Sequence, residues 1–291
     1  MNQYRLDGAN SLKAIAAMIA GTALLLGNDA ATKLLTQSYP VGQVICLRQA
    51  ATLLVIVPYI MAVSGWGAAR VVHWPGQIYR GLLFVVSSGF MVTSLSLLPL
   101  TTVIAITFVS PIFVVLLSAP LLGEHVGARR WSAVLIGFVG VLLIVRPGAA
   151  GFEWVLLLPV ATALINGLRD IVTRRLSRSE TSISILLCST VIVMLGGLAT
   201  APFGWHVLDA RGALLILLAG VCNAGAHFLM IEALRMGEAS LVAPFRYTSF
   251  LWALVFGYLL WGEIPGLWVA LGVALIICGG LFAFRGAAAR A

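Results

Sequence analysis

The chain has 291 residues, 61% of them hydrophobic and only 10% charged, with a formal net charge of +8. An ordinary soluble domain carries roughly 25% charged residues, so charge cannot cover this surface and membrane lipid must be the first partner. The basic surplus builds no contiguous patch with interleaved aromatics, which excludes nucleic acid. The cysteines (Cys46, Cys188, Cys222, Cys278) and histidines (His73, His125, His206, His227) are too dispersed for a metal or redox site, and no cofactor is expected.

A bilayer-crossing helix needs about 20 apolar residues. Ten windows qualify in chain order: 11–35, 41–64, 78–98, 100–121, 130–145, 153–173, 182–202, 213–234, 239–261 and 266–284. The first resembles a secretory h-region, but the nine apolar windows after it read it as a retained span. Turn chemistry separates the windows at Tyr39-Pro40, Trp74-Pro75-Gly76, Leu98-Pro99, Arg146-Pro147-Gly148, Pro202-Phe203-Gly204 and Ile264-Pro265-Gly266. The expected fold class is an all-α membrane protein of ten transmembrane helices. Gly137, Gly140, Gly272, Gly279 and Gly280 lie inside apolar windows and read as positions of close helix packing.

Lys and Arg flanking a span stay on the cytoplasmic side. With the N-terminus inside, the inner segments hold Arg5, Lys13, Arg70, Arg80, Arg129, Arg130, Arg169, Arg174, Arg175, Arg178, Arg235, Arg285 and Arg290. The outer segments hold only Lys33, Arg146 and Arg211. Both termini are therefore expected in the cytoplasm of a bacterial cell, with the chain a multi-pass protein of the inner membrane.

The two halves are related. At an offset of 139, Gly262-Glu263 falls on Gly123-Glu124 and Gly279 on Gly140; at 141, Asp170-x-x-Thr173-Arg174 falls on Asp29-x-x-Thr32-Lys33. Five spans per half make the second copy inverted, so the expected domains are two five-helix repeats, 11–147 and 153–285. Such a pair can alternate between outward-open and inward-open forms.

The residues that carry this pattern also resemble the EamA-type branch of the drug/metabolite transporter superfamily. They are Gly27-Asn28-Asp29 through Lys33, Leu47-Arg48, Ser110-Pro111 through Leu122-Gly123-Glu124, and Ala243-Pro244-Phe245-Arg246-Tyr247 through Trp261-Gly262-Glu263-Ile264-Pro265. The resemblance implies a ten-helix carrier whose cavity is lined by the first four spans of each repeat. Cargo differs among members and includes amino acids, amino-acid-derived metallophores, riboflavin, S-adenosylmethionine and drugs.

Charges inside a bilayer are costly and mark function. Arg246 and Arg48 each lie about seven residues into a span and point to capture of a carboxylate, with Tyr247 and Phe250 as aromatic surface and Asn28 and Asn166 as polar contacts. An ion pair of Arg246 with Glu232 is the structural alternative. Asp29 and Lys33 share a helix face at i, i+4, and Asp170 with Arg174 repeats them at the opposite mouth. These groups read as gates, and Glu232 and His227 as groups for proton coupling. The expected function is a secondary transporter exporting a small carboxylate-bearing amphipathic metabolite, an amino acid or a metallophore derived from one. Uptake of riboflavin or S-adenosylmethionine is the alternative. A membrane-embedded enzyme is the alternative of another class, against which stands the lack of a catalytic motif. A monomer or a homodimer satisfies the sequence equally.

Overall fold

Backbone groups in lipid find no water, so an apolar chain must close its hydrogen bonds within each helix. The computed structural model follows this rule: the structure describes residues 2–122, 128–145, 153–176, 179–236 and 243–288, and these contain helices and turns but no strand. The helices are α1 (Asn2–Leu35), α2 (Val41–Tyr59), α3 (Trp74–Leu97), α4 (Leu100–Thr107), α5 (Ser110–Leu122), α6 (Ala128–Val145), α7 (Leu157–Leu176), α8 (Ser182–Leu198), α9 (Ala210–Met236), α10 (Thr248–Trp261) and α11 (Leu267–Ala288). Six helical segments among the described residues are long and apolar enough to cross a membrane: 12–35, 41–64, 74–97, 154–173, 182–203 and 210–230. Shorter apolar helices at 100–114, 135–145 and 267–279, with α10, occupy the other four windows.

The fourth window is not one continuous helix. Pro111 has no N–H to give residue 107, and its ring crowds that carbonyl. The ladder accordingly breaks, with the Val109 amide turning to Ile106 O at 3.1 Å and the Ile112 amide to Val109 O at 2.8 Å. The ninth window is interrupted as well, opening on a 3-10 turn over Ala243–Tyr247 before α10 begins. At 1.5 Å per residue the break after Thr107 lies roughly 12 Å from the start of α4, close to half of a ~30 Å hydrocarbon layer.

Helices of the two halves pack across one another: α1 lies on α9 and α3 on α7, α2 on both α8 and α9, α8 also on α3, and α6 on α11. Tyr39 and Gln43 meet the 206–209 segment at one end, and Glu180 and Ser184 meet the 72–77 segment at the other. Tyr39 and Gln43 fall on Glu180 and Ser184 at the offset of 141. Leu54, Met61, Leu135, Leu214 and Leu259 are among the large apolar side chains left on the outside, a surface that water would not tolerate.

The α6–α11 contact depends on Gly140 and Gly272. A Cβ on Gly140 would stand 2.6 Å from Gly272 O and 2.8 Å from Ile276 Cγ1, and one on Gly272 would stand 2.5 Å from Gly140 O. The backbones touch there, which no larger residue permits. Gly272→Val is expected to cost about 1–3 kcal/mol through overpacking, read as a lowered melting temperature of the detergent-purified protein, whereas Gly89→Val, facing open space, should leave it within about a degree.

Candidate functional site

Lys33 closes one end of the bundle. Its ammonium lies 2.5 Å from Glu263 Oε1, donates to Leu98 O at 2.9 Å and sits 4.7 Å over the Trp261 ring. Glu263 also accepts from the amides of Leu100 (3.0 Å) and Thr101 (3.2 Å), the unpaired first donors of α4, where a carboxylate is favoured. Each side chain of the pair is only 12% exposed, so the attraction is little screened. The helix-face pair of Asp29 with Lys33 expected from their spacing is therefore not the one formed: Lys33 reaches the 262–266 turn instead.

The opposite end is closed by a neutral and acidic clasp. Glu180 accepts from the amides of Val72 (2.9 Å) and His73 (2.6 Å) and from the Ser184 hydroxyl (2.6 Å), and Gln77 donates to Ser184 at 3.1 Å. Desolvation opposes ionisation of Glu180, but these hydrogen bonds outweigh it and hold the carboxyl below the usual range. At the Lys33 end the Gly212 amide and the Tyr39 hydroxyl likewise hold Asp209 low. A pocket beside Tyr39 and Asp209 measures about 80 Å³, too small for a metabolite when ligand pockets run roughly 300–1,000 Å³.

Between the ends lies a polar interior. Arg48 is 7% exposed and Asp29 likewise 7%; the Arg48 charge acts on Asp29, and its guanidinium donates to Thr32 and Ser88, each at 3.3 Å. Asn28 donates to Asp29 at 3.0 Å. Asn28 Oδ1, Arg48 Nε and Asn166 Oδ1 are buried without a hydrogen-bond partner, an arrangement that costs free energy unless a ligand completes it. The Asp29 charge thus acts on Arg48, which is not the isolated cation on which carboxylate capture rested.

Deeper along α3 and α7 stand two arginines that the charge count had assigned to cytoplasmic flanks. Arg80 donates from Nε to Thr173 at 2.6 Å and from Nη1 to Ser189. Arg169 lies 4.4 Å over the Phe84 ring, and its Nε is buried and unpartnered. The charges of Arg169, Arg80, Arg246 and Arg48 all act on His227 of α9, so four helices and the turn before α10 bring their polar groups to one interior region. Asp170 and Arg246 are exposed in the bundle, and Glu232 is half-buried and engaged in an interaction of its own. Arg174 lies on α7 with its side chain outside the described residues, as do Gly123 and Glu124 of the repeated Gly-Glu pair.

Aromatic groups gather at the helix break. The Phe108 ring meets Tyr247 edge-on at 5.6 Å and Phe250 at 6.2 Å, while Phe250 is buried. The two residues expected to supply aromatic surface therefore share a cluster with Phe108, which sequence alone did not single out.

This architecture, a helical bundle with apolar faces, crossed repeats and a polar interior, is found in known proteins. The EamA-like transporter family profile matches twice, over residues 12–146 and 153–285. The chain belongs to the EamA-like transporter family. A riboflavin transporter of Rhizobium johnstonii is 34% identical over 222 residues, 75% of this chain and 73% of that protein. A riboflavin transporter of Vibrio cholerae is 27% identical over 263 residues, 89% and 88% of the two chains. An S-adenosylmethionine uptake transporter of Rickettsia bellii is 28% identical over 206 residues, 71% of each. A protein of known crystal structure superposes with a TM-score of 0.66 at 22% identity, covering 94% of this chain and 98% of its own, which speaks to the fold.

The family member is a multi-pass membrane transporter and not an enzyme, in contact with lipid and with a small-molecule substrate. The expected export of an amino acid or metallophore is corrected by these relatives, named for riboflavin transport and for uptake of S-adenosylmethionine. The physical reason lies at Arg48, on which the Asp29 charge acts, and at Arg246, which is exposed.

Glu180 provides a stability test. Its folded carboxyl sits below the ordinary glutamate value of about 4.3, so its contribution is complete above that value and is lost as pH falls through the lower folded one. Glu180→Gln is expected to lower stability at pH 7 by about 2 kcal/mol, as for hydrogen bonds to a charged group. The melting-temperature gap between the two proteins should hold from pH 7 to about 5.5 and narrow below about 4.3.

Proposed function

We propose that this transporter takes up a planar heteroaromatic metabolite of the riboflavin kind by alternating access. The observation that carries the reading is the Phe108–Tyr247–Phe250 cluster at the broken fourth span. Aromatic faces hold a fused ring by stacking, and discontinuous helices near mid-depth are where transporters of repeated architecture bind cargo. Asn28, Asn166 and Arg48 offer the unpaired acceptors and donor that a ring bearing carbonyls and N–H groups would complete. Tyr247, Phe250 and Arg246 complete the proposed contact set from the second half. The riboflavin transporters among the relatives support the same cargo class. A sulfonium-bearing cargo would enter an interior with Arg48, Arg80 and Arg169 and meet like charge.

The proposed frame is ten spans in two inverted repeats, with both termini cytoplasmic, in the inner membrane of a bacterium. The basic residues support the orientation, and the equivalent clasps at opposite ends support the inversion. In that orientation Lys33 and Glu263 form the outer gate, closed in this state, and the exposed Asp170 and Arg246 serve the inner side. Energy coupling is assigned to Glu232 and His227 of α9. A single ten-helix unit can form a complete cavity, so a monomer suffices.

Three measurements test this reading. Proteoliposomes holding the purified protein should accumulate radiolabelled riboflavin, and excess S-adenosylmethionine should compete at least ten-fold more weakly than unlabelled riboflavin; the reverse ranking would overturn the cargo. Phe108→Ala and Phe250→Ala should each raise KM about ten-fold, as removal of about 1.4 kcal/mol of ring contact predicts. The paired replacement Lys33→Cys with Glu263→Cys should block uptake under oxidant and restore it with reductant. Undiminished uptake in the cross-linked protein would make the pair a static brace.

A further inference from the structure

We infer that Arg80 and Arg169 form an oxyanion site for a phosphate group on the α3–α7 seam, separate from the aromatic cluster. The proposal rests on the transport reading above but names a second ligand chemistry within it.

The geometry begins with two antiparallel helices. Arg80 and Phe84 lie one turn apart on α3, and Arg169 and Thr173 one turn apart on α7. Arg80 bonds to Thr173 and Arg169 covers Phe84, so the two guanidiniums occupy successive turns of one seam, roughly 6 Å apart along it at 1.5 Å per residue. The Arg169 charge acts on Arg80. Like charges this close, inside a bilayer, demand a counter-charge. The ion pair within 4.0 Å at the far end joins Lys33 to Glu263, and the side-chain partners of Arg80 are the neutral hydroxyls of Thr173 and Ser189.

Asp170 is the acid whose charge acts on both arginines, but it is exposed and follows Arg169 directly in sequence. Asp29 is taken up by Arg48, and Glu232 holds an interaction of its own. Arg246 adds a third positive charge acting on Arg169. Arg169 keeps a buried Nε–H without an acceptor, half of the fork by which arginine grips an oxyanion.

A planar carboxylate offers one edge to one fork, whereas a tetrahedral phosphate can present different oxygen pairs to two forks at once. The seam therefore fits a phosphomonoester or inorganic phosphate better than a carboxylate. The phosphate arrives either on the cargo, as a phosphorylated ring compound, or as a free anion moved in exchange.

The test is calorimetric titration of the purified full-length protein with two probes, inorganic phosphate and riboflavin 5′-phosphate, at ionic strength matched with chloride. At least one probe is expected to bind, and Arg80→Gln and Arg169→Gln should each weaken it about ten-fold or more. Arg169→Lys, which keeps the charge and loses the fork, should weaken it by less than Arg169→Gln. Binding of free phosphate assigns an exchanged anion; binding of the phosphorylated flavin alone assigns a cargo-borne group. No binding of either probe to the wild-type protein overturns the proposal, as does binding untouched by both Gln variants. If the Gln variants do not purify as monodisperse protein, wild-type uptake of riboflavin decides: inhibition by either probe, not matched by equal chloride, supports the site, and its absence removes it. Riboflavin uptake is scored separately, so arginine-dependent phosphate binding without riboflavin uptake would retain this site and discard the cargo.

Discussion

A charge in hydrocarbon must find its opposite inside the protein, and the structure is organised around where that happens. Asp29 answers Arg48 within the first half of the chain, and Lys33 answers Glu263 between the halves. Glu263 simultaneously satisfies the first amides of α4, so one carboxylate ties a helix end, a turn and a neighbouring helix together. The hydrocarbon raises the stakes of each contact because water is not there to replace a lost partner. That is why the charged residues, though few, position the helices more definitely than the many apolar ones, which are interchangeable against lipid.

The polar interior has two characters. Around Phe108, Tyr247 and Phe250 it is aromatic, at the depth where the fourth span breaks. Along α3 and α7 it is cationic, with hydroxyl and ring neighbours in place of carboxylates. The groups of both regions come from α2, α3, α7, α9 and the segments beside α4 and α10, while α6 and α11 pack on each other through Gly140 and Gly272. The pair α6 and α11 thus serves as scaffold.

Much of this was legible from sequence for a physical reason: a bilayer imposes length and hydropathy on a helix, and a duplicated chain repeats its motifs. Arg48 with Asp29, and Tyr247 with Phe250, were found because charge and aromatic groups stand out in apolar runs. Arg80 and Arg169 were missed because both lie near span ends, where the positive-inside rule explains arginine without any site. Glu263 was read only as part of the repeated Gly-Glu pair, since its partner lies 230 residues away and no local periodicity reports such a contact. The fourth span was read as continuous because hydropathy does not register a broken ladder; Pro111 was the signal present. The cargo was misjudged because guanidinium in a span suggests an anion only if nothing else neutralises it.

The distance between Lys33 and Glu263 along the chain also bears on how the molecule is made. Arg48 follows Asp29 closely enough to enter the membrane with it, so that pair neutralises itself while synthesis is still early. Lys33 has no such companion for another 230 residues, which at 5–20 residues per second is on the order of ten seconds or more. Through that interval its ammonium must rest at the water interface, stretched outward on its apolar stem. The first repeat therefore enters the bilayer before its Lys33 end can close, and arrival of the turn between α10 and α11 completes the seal.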